Sequence, residues 1–211
     1  MKIIVITITC NRLEESKQWL HELRDKAGLD YYHIVVDNGS DDGTLTWLEN
    51  DFKPDLILKL KKNHGVIRAW LVGIKKALEL GADFIVKFDN DCEINEPDIL
   101  KKLMEWYKRG CDNYVIAPLD TEILPNYLPK VLSEVKERGF KVRYTTHTGG
   151  IFQILPKKAA QLLLDYPNIE KINGDLKRGG YWISQGISPI YLTEITISHR
   201  GIENQTNNYI L

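Results

Sequence analysis

The sequence predicts an α/β fold in three layers, with a central, mostly parallel mixed sheet flanked by helices. Three observations point there. Residues 2–9, "KIIVITIT", form a continuous β-branched run, the pattern of a strand covered on both faces. Strand and helix patterns then alternate four times in the first 110 residues, which calls for crossover connections and parallel pairing. From residue 113 the alternation lapses, so antiparallel strands are expected to complete the sheet.

The elements follow in order. "LEESKQWLHELRDKA" (13–27) places Leu13, Trp19, Leu20, Leu23 and Ala27 at helical spacing. "YHIVVD" (32–37) is a second strand, "NGSDDGT" a turn and "LTWLEND" a short helix. "DLILKLKK" (55–62) is a third strand, and "GVIRAWLVGIKKALELG" (65–81) a helix with an apolar stripe and a glycine stop. "ADFIVKFD" (82–89) is the fourth strand, and "PDILKKLMEWYKRG" (97–110) a helix with proline in its first turn. "NYVIAPLD" (113–120) reads as a strand, and residues 121–139, with Pro125 and Pro129, as a loop with a short helix. Residues 141–155 read as strand, Gly149-Gly150 break and strand; 156–166 and 174–187 are helices. Residues 188–201 form a last strand ending at His199. No linker, repeat or low-complexity tract divides the chain, so residues 1–211 are expected to form one domain.

Composition excludes several classes. With 43% apolar and 27% charged residues and a net charge of −1, the chain shows no field suited to nucleic acid or a membrane surface. Cys10, Cys92 and Cys111 are odd in number, far apart and in no Cys-x-x-Cys pair, which suits a reducing compartment. The first apolar run spans only about seven residues and meets Asn11-Arg12 without a cleavage site, unlike a signal peptide. No run approaches the roughly 18 residues of a membrane span. A soluble, cytoplasmic protein is expected, with no nucleic-acid partner and no membrane insertion.

Open sheets of this kind bind ligands beyond the carboxyl ends of their strands. Four polar loops share that edge: "TCNR" (9–12), "DNGSDDGT" (37–44), "KKNHG" (61–65) and "DNDCE" (89–93). Asp37 could accept hydrogen bonds from a nucleobase or ribose, or belong to a plain turn in which Asp42 or Ser40 caps the next helix. Asn63 and Gly65 precede a helix whose N-terminus suits a phosphate, with Arg68 one turn in. A plain helix start explains the same residues, and the Gly-x-x-x-x-Gly-Lys pattern of a P-loop is absent. Asp89 and Asp91 could be a metal pair, a nucleophile pair or a water-facing strand end. Among 15 aspartates, about one Asp-x-Asp is expected by chance. Such carboxylates repel unless a cation or proton intervenes, and oxygen ligands suit Mg²⁺ or Mn²⁺. His199 is either structural or an added imidazole ligand, which would favour Mn²⁺. Cys92 reads as packing.

The ordered set "TITCNR", "VVDNGSDDGT", "NHGVIRA" and "FIVKFDND" resembles the nucleotide-sugar-dependent glycosyltransferases of the GT-A fold, in particular the family 2-like group. Each motif is weak alone; four in order at the expected spacing are specific. The likeness covers residues 2–93 closely and continues more weakly to about 201. It implies a Rossmann-like sandwich, with 1–93 as the nucleotide-binding half and 94–211 as the acceptor side. It further implies transfer of a sugar from a nucleoside diphosphate sugar, such as UDP-glucose, to a glycan or other hydroxyl acceptor with Mn²⁺ or Mg²⁺. Members include compact bacterial and viral enzymes and the N-terminal domains of longer transferases.

Residue by residue, the resemblance puts the base on Asp37, with Thr9 and Arg12 lining its pocket. Asn63, Gly65 and Arg68 lie along the nucleotide and diphosphate. Asp89 contacts ribose and metal, with Asn90 beside it, and Asp91 holds the metal. Gly149-Gly150 resembles the loop beneath the donor sugar. Inverting members place a Glu-Asp pair about eleven residues before a glycine, and its Asp is the base. Asp175, eleven residues before Gly186, falls on that position, with Gly174 in place of Glu and the family's helix arginine unmatched. Read blandly, Asp175 only opens a helix. Tyr181 and Trp182 offer a sugar-stacking face or core packing. Residues 119–130 match nothing in the family and are expected to shape the acceptor side.

Three rivals stand beside this reading. A haloacid-dehalogenase-type phosphatase carries Asp-x-Asp on its first strand, with Thr or Val two residues after the second Asp; here the pair is on the fourth and that position is Glu93. A nucleotidyltransferase needs a Gly-rich, Arg-containing first loop, which is missing. A non-catalytic nucleotide-sugar-binding module would bind the donor without turnover.

Overall fold

The computed structural model describes residues 1–108, 110, 112–122, 129–166 and 174–200. Cys111 and Pro125 lie outside them, as does the end of the last expected strand at residue 201. The strands are β1 (Ile3–Thr9), β2 (Tyr32–Asp37), β3 (Leu56–Lys59), β4 (Phe84–Phe88), β5 (Cys92–Ile94), β6 (Tyr114–Asp120), β7 (Val131–Glu137), β8 (Phe140–Thr145), β9 (Phe152–Pro156) and β10 (Ser188–His199). They form one sheet in the order β3-β2-β1-β4-β9-β6-β10-β8-β7, with β5 paired to the far end of β10. Strands β1 to β4 pair in parallel, so their carboxyl ends share an edge. Strand β9 enters antiparallel to β4 and β6, and β8 antiparallel to β10.

The continuous apolar strands divide by parity, as the pleat requires. Ile3 and Val5 pack with Trp19, Leu20 and Leu23 of α1 (Leu13–Lys26) and with α4 (Ile99–Tyr107). Ile4, Ile6 and Ile8 pack with Trp70 and Ile74 of α3 (Val66–Glu79), with α5 (Lys157–Asp165) and with Trp182 of α6 (Asp175–Ser184). The third layer of the sandwich follows from this. Each buried isoleucine contributes roughly 1.5–3 kcal/mol. Gly73 permits the close seating of α3, because a Cβ there would stand 2.6 Å from the Ile6 side chain.

Two elements differ from the sequence reading. Residues 131–137 are strand β7, not a short helix: the positions of Val131, Leu132 and Val135 mimic a helical period. The local turn decides otherwise. Arg138 and Gly139 both take positive φ (53° and 83°), the two-residue hairpin geometry that pairs β7 with β8. Strand β5 was also unforeseen; its register sets Cys92 opposite His199. The short helix after β2 is α2 (Thr44–Trp47), which continues as a π-helical turn over Leu48–Phe52.

His33 on β2 is buried, with one ring nitrogen 3.0 Å from the Thr7 hydroxyl and Nδ1 without a partner. Burial, aided by the Arg24 charge, lowers its pKa to about 3 from 6.5. Between those values the unfolded chain binds a proton that the folded one refuses. Stability therefore holds above about pH 6.5 and falls below it, by about 1.4 kcal/mol per pH unit. Urea unfolding from pH 7.5 to 5 should show this slope, and His33→Leu should flatten it.

Candidate active site

The site lies where β1, β2 and β4 end. Asp37, 1% exposed, closes β2, and its carboxylate accepts from the Thr9 hydroxyl at 3.3 Å and the Ser40 N–H at 3.2 Å. Gly43, not Asp42 or Ser40, holds the N-cap position of α2, and Asp42 just before it accepts from the N–H and hydroxyl of Thr44 and from the N–H of Leu13. Ser40 instead accepts from the N–H of Asn11. The loop after β3 is tied in through Asn38, whose amide donates to Asn63 at 3.0 Å and accepts from the His64 N–H. Gly39 makes that approach possible, since a Cβ would stand 2.6 Å from the Lys62 backbone. Asn63 in turn accepts from Gly65 N–H, which shapes the entry to α3. Arg68 lines an exposed groove with Leu60, His64, Val72 and Lys75.

Asn11 and Arg12 both adopt left-handed backbone (φ 61° and 64°), at about 1–2 kcal/mol for the arginine. That turn brings the Arg12 guanidinium to Asp91, 2.8 Å from Oδ2. His199 Nε2 faces the same oxygen at 3.5 Å, because β5 pairs with the end of β10. Asp89 has a different partner. Lys87, a lone lysine in an apolar strand, contacts both of its carboxylate oxygens and donates to the Gly150 carbonyl. Asn90 turns away and donates to Ser16 of α1.

Three basic side chains, Lys87, Arg12 and His199, surround the two aspartates. Burial pushes the Asp89 carboxyl above its usual range, with Lys87 opposing and Asp91 adding to the rise. Burial would also raise Asp91, but the hydrogen bond and charge of His199 and the charge of Arg12 bring it below the ordinary value. Burial would lower His199, and Asp91 outweighs it, so the imidazole is raised. Cys92 is buried packing, with its thiol pushed well up by burial.

Among the described residues, no cluster of three or more His, Cys, Asp or Glu side chains could hold a metal alone. One carboxylate and one imidazole, Asp91 and His199, still fit a divalent cation that takes its remaining ligands from phosphate oxygens and water.

The loop before β9 and the start of α6 meet near this edge. The Gly149 N–H donates to the Tyr191 hydroxyl at 2.5 Å, and a Cβ on Gly150 would stand 3.0 Å from Asp175 Oδ1. Asp175 opens α6 and pairs with Arg178, which is buried against the Trp70 ring, 5.5 Å from its centroid. The helix therefore does carry an arginine, one the sequence reading left unmatched. Trp182 is fully buried and donates to the Ala159 carbonyl, and Tyr181 packs on Tyr166, so this aromatic pair belongs to packing between α5 and α6. Lys87 and Arg178 were missed; the signals were a single cation inside "FIVKF" and an i,i+3 partner for Asp175.

The family model for glycosyl transferase family 2 matches residues 4–160. A curated relative, the UDP-N-acetylglucosamine–dolichyl-phosphate N-acetylglucosaminyltransferase of Methanococcus voltae, is 34% identical over 99 residues, 40% of this chain and 39% of that protein. Two solved structures share the fold. The mannosyltransferase PcManGT of Pyrobaculum calidifontis, in complex with GDP-Man and Mn²⁺, has a TM-score of 0.71 at 15% identity, over 94% of this chain and 56% of its own. TarS residues 1–349 of S. aureus, in complex with UDP-GlcNAc, has a TM-score of 0.72 at 20% identity, over 100% of this chain and 62% of its own. The chain thus spans less than two thirds of each of these proteins. Among its described residues, no helix is long and apolar enough to cross a membrane.

Proposed function

This chain belongs to glycosyl transferase family 2, and from that premise we propose that it moves one sugar from a UDP-sugar to a hydroxyl of a glycan or other acceptor, with inversion and with a divalent cation at the diphosphate. The observation that supports this best is the convergence of two groups on one loop. The Asp175 carboxylate sits directly over Gly150, and the Gly150 carbonyl is joined through Lys87 to Asp89. A base and a donor-side carboxylate thus flank the same backbone.

In this reading Asp37 and Thr9 receive the base, and the loop of Asn63 and Gly65 at the α3 N-terminus follows the nucleotide, with Arg68 beyond it. Arg12 lines the same pocket and orients Asp91. Asp91 and His199 would hold the cation, whose chemistry there is to stabilise negative charge on the departing diphosphate. Asp89 lies at the ribose side, while Asn90, turned to Ser16, has no part in donor binding, and the Gly149-Gly150 backbone lets sugar hydroxyls approach without a Cβ in the way. Asp175 takes the acceptor hydroxyl's proton as the new anomeric bond forms and the bond to the diphosphate breaks on the opposite face. Arg178 holds the Asp175 carboxylate in place.

The uridine assignment draws support from the M. voltae relative and the TarS complex, both named with UDP-GlcNAc. The phosphatase rival needs a free nucleophilic oxygen on Asp89, and both of its oxygens are engaged by Lys87. Incubation with UDP-, GDP- and dTDP-sugars, Mn²⁺ and a glycan panel tests the proposal. Release of UDP with a product of inverted anomeric configuration is expected. Donor binding without turnover on any acceptor would instead favour a binding module, and retention would remove Asp175 as the base.

A further inference from the structure

Strand β4 is buried throughout, and Lys87 is its one charged residue. A buried lysine is costly unless it is paired and its donors are satisfied. Lys87, 4% exposed, meets that demand with two Asp89 oxygens and the Gly150 carbonyl. The Trp70 ring, 5.9 Å from the ammonium, walls off the remaining side. The Asp89 N–H also donates to the Ile151 carbonyl at 2.9 Å, a second tie between the same two segments. The two aspartates are therefore not equivalent. Lys87 engages both oxygens of Asp89, whereas Arg12 and His199 both meet Oδ2 of Asp91, and its Oδ1 lies outside these contacts.

We propose that Lys87 is a positioning residue that ties the Asp89 carboxylate to the Gly149-Gly150 loop and leaves the divalent cation to Asp91 and His199. The inference rests on the donor-site reading above and refines it. Its consequence is that the loop beneath the donor sugar is organised before donor or cation arrives. Asp89 serves the loop and ribose side; it is not a second metal ligand.

The test compares wild type, Lys87→Met, Lys87→Arg and the Lys87→Met/Asp89→Asn double variant. Mn²⁺ binding is read by the paramagnetic resonance of free Mn²⁺, and stability by thermal unfolding with and without Mn²⁺. In Lys87→Met the stranded Asp89 carboxylate should recruit the cation. Mn²⁺ affinity should rise roughly tenfold, and a lowered melting point should recover when Mn²⁺ is added. Lys87→Arg and the double variant should both keep wild-type Mn²⁺ affinity. If Lys87→Met does not fold, those two variants still decide the matter. Wild-type Mn²⁺ behaviour in a folded Lys87→Met, or loss of Mn²⁺ affinity in the double variant, would overturn the proposal. Failure of every variant to bind UDP, with the predicted order of melting points intact, would overturn the donor reading and leave the Lys87 assignment standing.

Discussion

Asp175→Asn is expected to lower kcat for sugar transfer by about 10²–10⁴-fold while leaving UDP-sugar affinity close to that of wild type. The amide preserves shape at the start of α6 but cannot accept the acceptor's proton. The exposure of this carboxylate suits the role. Its side chain is 30% exposed, so an acceptor can reach it, while its partner Arg178 is only 7% exposed. The substitution leaves Arg178 with a weaker partner, and its Nε already lacks one. A stability loss of about 1–3 kcal/mol should accompany the kinetic effect. Steady-state kinetics paired with thermal unfolding separates the two: the protein should remain folded and bind donor, yet turn over hardly at all. Unchanged kcat would place the base elsewhere.

Asp91→Ala should have the next largest effect, acting on binding as well as rate. Among the described residues Asp91 is the one carboxylate paired with both Arg12 and His199, so its loss removes the centre of the proposed cation site. Affinity for UDP in the presence of Mn²⁺ should fall about 10–100-fold, and added Mn²⁺ should no longer matter. His199→Ala should give a smaller loss, because the carboxylate remains. Competition of UDP against a labelled UDP-sugar, at several Mn²⁺ concentrations, measures both. An Asp91→Ala protein that still responds to Mn²⁺ would remove Asp91 from the cation site.

Much of this was legible in the sequence because local chemistry and fold agree over the first half. Strand β1 reads as buried from its β-branched run, and the loops after β1, β2, β3 and β4 share one edge because parallel pairing leaves no alternative. The β7–β8 hairpin was not legible, because Val131, Leu132 and Val135 fit a helical period and only Arg138-Gly139 betrays the turn. The charge balance of the site was hidden for a different reason. His199 reaches Asp91 only through the pairing of β5 with β10, a contact spanning more than a hundred residues. Arg12 reaches it only through two successive left-handed residues, which no local pattern announces. Lys87 was visible as an anomaly in β4, but its meaning depended on where the Gly150 carbonyl falls.

The central claim is that the carboxyl edge of β1, β2 and β4 binds a nucleoside diphosphate across Asp37 and Asp91. Calorimetric titration of UDP into the protein, with and without Mn²⁺ and in Asp37→Asn, tests it most directly. The account predicts binding to wild type that weakens when Mn²⁺ is removed and weakens again in Asp37→Asn. No binding of UDP, or binding indifferent to both changes, would contradict it.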